Sequence, residues 1–179
     1  MAITTALDRN PDNFDLARPT QFRFDILKIP NTQYTITECN LPGIAFSGDA
    51  IMNSRYKSMP FMGDTLDFSP LEINFNVQEN LKNYREIHDW MTGIGFPENP
   101  NQFADAVAEE GGGSNPNVLT SDATLTIVSN KNNPLISVKF RNIYPTSLSG
   151  LTFDTKDTDS TTLTASVTFN YDLYEIEVL

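Results

Sequence analysis

The side chains that enzymes most often use for covalent chemistry are scarce in this sequence: one cysteine, Cys39, and one histidine, His88, in 179 residues. A thiolate activated by an imidazole needs the two side by side, and no signature of a cysteine enzyme surrounds either. Cys39 closes a stretch of strand pattern and reads as a small buried hydrophobe, while His88 falls on the polar side of a helical pattern. One Cys and one His cannot furnish a closed set of zinc ligands. Gly111-Gly112-Gly113-Ser114 lacks the following Lys and the strand-to-helix turn of a phosphate cradle. Asp154, Asp157 and Asp159 cluster carboxylates, yet without the glycine and late glutamate of a calcium loop they read as a solvated turn. Carboxylate pairs suited to glycoside hydrolysis exist in any acidic chain, and nothing singles out two of them. The expectation is no catalytic residue, no cofactor and no metal.

Charge narrows the classes further. The formal net charge is −11, with 12 acids against 8 bases before residue 98 and 11 against 4 from there on. The excess is therefore spread along the chain rather than held in a tail. Such a chain repels phosphate backbones and argues against a site that grips nucleic acid, which needs clustered Lys and Arg. A single cysteine precludes an internal disulfide, and no basic-then-apolar leader opens the sequence. No run approaches the roughly 20 apolar residues of a membrane span. A soluble chain is expected, without membrane contact, placed in the cytoplasm where it is made. With 39% hydrophobic residues over this length, one core and one domain, 1–179, are expected.

The elements that position these side chains follow from hydrophobic period. Phe22, Phe24 and Ile26 alternate with Arg23 and Asp25, and a second strand pattern at Tyr34, Ile36 and Glu38 follows across Lys28-Ile29-Pro30-Asn31. That turn chemistry predicts a hairpin. Leu71, Ile73, Phe75 and Val77 give the cleanest alternation. Glu79-Asn80 then caps a helix in which Leu81, Tyr84, Ile87, Trp90 and Met91 recur at spacings of three and four, ending near residues 93–97. Leu71, Ile73, Phe75, Leu81, Tyr84 and Trp90 are the expected core of this strand-and-helix unit. Residues 98–118 hold two Asn-Pro steps and three glycines, and are expected to be a flexible loop with a helical turn around 103–108. Strands resume at 123–127 and 136–140, and again near 151–153 and 163–177. The order predicts a mainly β fold with one α-helix, an antiparallel β-sandwich or partly open β-barrel with the helix on one flank.

Two segments fall outside this regular pattern. Residues 1–19 are polar and end in Arg18-Pro19, which discourages a helix and leaves an N-terminal arm. Residues 45–61 carry large apolar side chains among polar ones and read as a protruding hairpin or loop. Met52, Arg55, Tyr56, Lys57, Met59 and Phe61 are its candidate subunit-interface residues.

The stretch Ser69-Pro-Leu-Glu-Ile-Asn-Phe-Asn-Val-Gln-Glu-Asn-Leu-Lys-Asn-Tyr-Arg-Glu-Ile-His-Asp-Trp-Met91 resembles the strand-then-helix core of the tail-tube family of contractile-tailed bacteriophages. Its form is most similar to the terminator branch, the tail completion and sheath stabiliser proteins. Gln21-Phe-Arg-Phe-Asp-Ile resembles that family's first strand, Leu41-Pro-Gly-Ile its turn before a protruding loop, and residues 164–175 its closing strand. The likeness spans about 22–176, apart from 98–118. Ala17-Arg18-Pro19 is more similar to the major tube subunit.

The resemblance implies a tail-tube-type β fold assembled as a homo-hexameric ring at the head-proximal end of the tube. It implies contacts with tail-tube, sheath and neck or connector proteins, and DNA passing through the lumen without specific binding. The place implied is the virion tail, assembled in the host cytoplasm. No catalytic residue comes with it. A major tube subunit or tube initiator stacking as rings, a ligand-binding β-sandwich and an acid-catalysed hydrolase are the alternatives.

Overall fold

In the computed structural model, which describes residues 16–48, 50–53, 55–99, 101–109, 119–156 and 162–179, the period-two stretches are strands. In chain order these are β1 (Phe22–Ile26), β2 (Ile36–Cys39), β3 (Ile44–Ser47), β4 (Ala50–Asn53), β5 (Ser58–Phe61), β6 (Thr65–Phe68) and β7 (Leu71–Asn76). Helices α1 (Lys82–Gly95) and α2 (Asn101–Glu109) follow, then β8 (Ser121–Val128), β9 (Pro134–Leu148), β10 (Thr164–Asn170) and β11 (Leu173–Val178). The fold is mainly antiparallel β with one principal helix.

The long strand β9 organises the main sheet, whose order is β1-β8-β9-β10-β7-β2 with β11 also on β9. Residues 136–141 of β9 pair with β11 on one edge, and β8 lies along the other. Beyond Ile143, β9 pairs with β10 instead. One half-sheet is therefore β1-β8-β9-β11, the other β9-β10-β7-β2. The corner between them is Asn142, whose backbone is left-handed at φ 53°. Asparagine visits that region more readily than most residues. Its amide N–H donates to Asp122 Oδ1 at 3.2 Å and its side-chain Nδ2 to Asp172 Oδ2 at 2.6 Å, where the chain breaks between β10 and β11. Asn142→Val is expected to lower stability by at least about 1–2 kcal/mol, the cost of forcing a β-branched residue left-handed. Asn142→Gly, which keeps the backbone freedom, should lose less; equal losses in urea unfolding would refute the backbone argument.

The hairpin predicted for the first two strands does not form. β1 pairs with β8 and β2 with β7, so consecutive strands lie at opposite ends of the sheet order. Because only residues 27–35 join them, the sheet curls until its two ends face each other across an open seam. The architecture is the partly open form of the expected pair. Turn chemistry at Pro30-Asn31 was a correct sign of a bend, but the buried Ile29 and a 3-10 turn at Thr32–Tyr34 make the link a strap beneath the core.

Side chains from both half-sheets meet inside this curl, Phe24, Phe75, Phe140 and Phe169 among them, and α1 closes the core with Ile87 and Trp90. Trp90 stacks at a tilt on Phe169, 6.0 Å between centroids, and its indole N–H donates to Leu119 O at 2.9 Å. Leu71, Ile73 and Phe75 are buried as their alternation implies, and Tyr84 is half-buried with its hydroxyl on Ser149 O. Leu81 is different. It is the N-cap, left-handed at φ 53° and 38% exposed, so it does not join the helix's buried face. That place belongs to Asn83, one turn before Ile87.

Two other expectations change. Within 98–118 the helical turn expected around 103–108 is there and longer, as α2, held by Asn99 Oδ1 accepting the Asn101 N–H and by Phe103 packing edge-on against Phe96; residues 100 and 110–118 lie outside the described residues. Residues 151–153 are not a strand; β9 instead runs on to Leu148 through Pro145. Proline fits there because the β9–β10 register shifts between Thr168 and Phe169, beside it. A bulge relieves the ladder of the missing donor.

Candidate functional site

Residues 44–68 form one long antiparallel hairpin made of two ladders, β3 with β6 and β4 with β5. The step between them falls at Gly48, whose φ of +82° would strain any other residue. Opposite positions share a face, so Met52, Met59 and Phe61 line one side of the outer ladder, and Ile51 with Pro60 the other. In the inner ladder Ile44, Phe46, Leu66 and Phe68 share a face. All of these except Phe68 are exposed, Ile51 by 65% and Phe46 by 57%. Apolar side chains exposed on one face of the inner ladder and on both faces of the outer one are covered only when something else binds them.

Its base, by contrast, is fixed. Phe68 meets Tyr174 edge-on at 5.7 Å and Tyr171 at 6.3 Å, and both tyrosines pack on Phe140. The Tyr171 hydroxyl donates to Ser69 O at 2.8 Å and Tyr174 to Pro42 O at 3.2 Å. These bonds clamp the carbonyls on either side of the hairpin, so its root is held while its tip extends. Burial, with the neighbouring Tyr174, pushes the Tyr171 phenol up from 10.0 to about 12. Between those pH values the unfolded chain has already lost the proton that the folded chain keeps, so stability falls as pH rises through the window. Tyr171→Phe is expected to flatten that loss between pH 10 and 12 in denaturant titrations. An unchanged slope would remove Tyr171 from the account.

The six interface candidates sit together at this tip. Met52, Met59 and Phe61 are about half exposed, Tyr56 is 91% exposed, and Arg55 and Lys57 lie in the turn between β4 and β5. The sequence reading missed Ile44, Phe46 and Leu66, although their period-two spacing, continued to Phe68, was the available signal. It also missed Tyr171 and Tyr174, which local pattern cannot link to residue 68. Residues 50–63 carry two bases and no acid, in a chain of net −11. The tip is thus a cationic point on an acidic body.

The residues considered for chemistry do not converge. Cys39, at the end of β2, has Asn40 O as its polar partner, and burial pushes its thiol up from 9.0 to about 12. His88 lies on the exposed side of α1, 3.4 Å from Asp89 Oδ1. Among the described residues no three His, Cys, Asp or Glu side chains are grouped to hold a metal, and no helix is long and apolar enough to cross a membrane. Asp157 and Asp159 lie outside the described residues.

The fold as a whole is similar to that of solved structures. The tube-terminating cap of the anti-feeding prophage superposes with a TM-score of 0.60 at 14% identity, over 98% of this chain and 100% of that one. A chain of the anti-feeding prophage baseplate, 6-fold symmetrised, gives 0.56 at 7% identity, over 93% and 97%. A chain of the PVC extracellular contractile injection system's sheath/tube terminator gives 0.55 at 14%, over 92% and 99%. The chain shares its fold with these components of contractile injection particles. No protein-family model matches the chain, and no curated protein matches it in sequence. At these identities the likeness is one of fold, and among the described residues of this chain the clamped hairpin gathers a run of exposed apolar side chains.

Proposed function

We propose that this chain is a non-enzymatic structural subunit of a contractile tail or injection particle, working as a homo-hexameric ring that terminates the tube. The observation that carries this reading is the hairpin of residues 44–68, anchored at its root, with an apolar face on its inner ladder and apolar side chains on both sides of its outer one, up to a cationic tip. Such a surface suits a second copy of an acidic subunit, since its charge complements the body and its side chains need covering. The terminating cap and the terminator among the similar folds support the place at the tube's end, with tube, sheath and neck or connector proteins as neighbours. In a phage tail the acidic excess would let DNA pass the lumen without adhering.

Size-exclusion chromatography with light scattering, followed by negative-stain imaging, tests this. Isolated rings, or monomers that cap added tubes, are expected. Long tubes would identify a major tube subunit or initiator, because only matching ring faces propagate. A monomer that neither forms rings nor binds tube ends would overturn the tail reading in favour of a ligand-binding β fold.

A further inference from the structure

The main sheet carries one strand edge that is both open and apolar. β11 pairs with β9 and, among the described residues, with no strand on its other side. Leu179 N–H donates to Leu135 O at 2.9 Å, one step past the Val178–Ile136 pair. Bonding in an antiparallel ladder alternates, so Glu177 and Glu175 bond β9 in turn, and the N–H and C=O groups of Ile176 and Val178 are turned outward. Their side chains lie on the core face, Ile176 opposite the buried Val138, yet Ile176 is 57% and Val178 85% exposed. The core face thus runs on past its own cover, along an edge that can receive a strand. The ends of the strand order are poorer receivers: Phe24 and Ile26 of β1 are buried, and β2 carries a register shift between Ile36 and Glu38.

We infer that β11 takes β4 of a second copy as an added antiparallel strand, with Ile51 opposite Ile176. This rests on the proposed assembly and names the surface that the hairpin meets. Among the described residues both outer edges of the β4–β5 ladder are without a strand, and Pro60 decides between them. Proline has no N–H and sits in a ladder only where that position faces outward, so Pro60 blunts the β5 edge. Its partner Ile51 is then also an outward position, with its N–H and C=O groups on the open edge of β4. Pairing lays the exposed Ile51 side chain against Ile176 on one face. Charge fits the same register. With Ile51 opposite Ile176, antiparallel counting brings position 55 beside position 172, so the turn carrying Arg55 and Lys57 meets Asp172. Glu175 and Glu177 already pair with Arg141 and Lys139, whereas Asp172 meets the neutral amide of Asn142. Within one copy the hairpin's root is clamped at Tyr174 of β11. The nine steps from Ile44 to Asn53 can extend to about 30 Å, which carries β4 away from its own β11 and toward a neighbour's. Such a tip-to-root contact is heterologous, and it closes into a ring or propagates as a filament.

Two full-length chains, both Cys39→Ala, test it: one carries Ile51→Cys and the other Ile176→Cys. Opposed positions of this kind lie about 5.5 Å apart between Cα atoms, within disulfide reach. Mixed and oxidised, the two chains are expected to give a disulfide heterodimer in high yield. Glu177→Cys in place of Ile176→Cys turns the thiol to the other face and should give little; equal yields would overturn the inference. An internal disulfide in the doubly substituted chain with no mixed heterodimer would overturn a contact between copies. Hydrogen exchange on the unsubstituted protein gives a second reading. The amides of Ile51 and Ile176 should exchange roughly tenfold more slowly at high than at low protein concentration, and equal rates would overturn the pairing. Rings or capped tubes that form without either signal would remove this contact alone. Heterodimers without rings or capped tubes would keep it and remove the tube reading.

Discussion

Asn83→Ala is expected to lower the unfolding free energy by about 3 kcal/mol, the scale of several buried polar groups losing their partner at once. Asn83 is fully buried. Its Nδ2 donates to Thr35 Oγ1 at 2.9 Å and to Asn76 O at 2.8 Å, and its Oδ1 accepts the Gln78 N–H at 3.2 Å. Its own carbonyl accepts from Thr32 Oγ1 at 3.4 Å. One amide thus joins the end of β7, the start of α1 and the strap between β1 and β2. Truncation leaves the Asn76 carbonyl and the Gln78 N–H without their protein partner, and opens a small cavity beside Ile87. Removing a peripheral member is a milder change: Thr35→Val should cost about 1 kcal/mol, a typical single hydrogen bond. Against a domain stability of about 5–15 kcal/mol, the first loss is large and visible as a shift in urea midpoint at constant slope. An Asn83→Ala variant within 1 kcal/mol of the parent would sink the account of this residue as a hub.

Asn83 also marks where sequence reading stops. The helix itself was legible, because apolar residues recur at three and four from Tyr84 to Met91. The first turn of its buried face was not, since the pattern places Leu81 there and the chain puts the polar side chain of Asn83 in that place. Hydrophobicity cannot announce a buried amide whose partners lie on three different elements. The same limit explains the strands. β7 was readable from its own alternation, as each side chain's burial depends only on the pleat. The pairing of β1 was not readable, because its partner β8 lies about a hundred residues on, and nothing local distinguishes a hairpin turn from a strap. The extent of β9 was hidden by Pro145, which reads as a strand end unless the bulge opposite is known. At the candidate site, the tip was found from large apolar residues lacking a core period. The clamp beneath it depends on tertiary contacts among Phe68, Tyr171 and Tyr174 that no spacing encodes.

That division between tip and root makes the second large effect separable from stability. Replacing Met52, Met59 and Phe61 together by Thr is expected to leave urea unfolding within about 0.5 kcal/mol of the parent, as is usual for exposed positions. Threonine keeps the strand propensity of β4 and β5. Association should fall sharply. Each side chain is about half exposed in the free chain, so covering it in a complex removes roughly half the area of a full burial. At about 1 kcal/mol each, three such losses weaken one contact by about 3 kcal/mol, more than a hundredfold. In a closed ring every subunit carries the lesion, so rings and tube caps should vanish at concentrations where the parent forms them. Arg55→Glu with Lys57→Glu probes the other term, turning the tip from two positive charges to two negative ones on an already acidic chain. Its defect should shrink as salt is raised, because screened charges act weakly beyond about 10 Å at 0.1 M, whereas the threonine variant's defect should not. If the threonine variant forms rings or caps tubes as the parent does, the hairpin is not the assembly surface, and the apolar faces at residues 44–68 need a different partner.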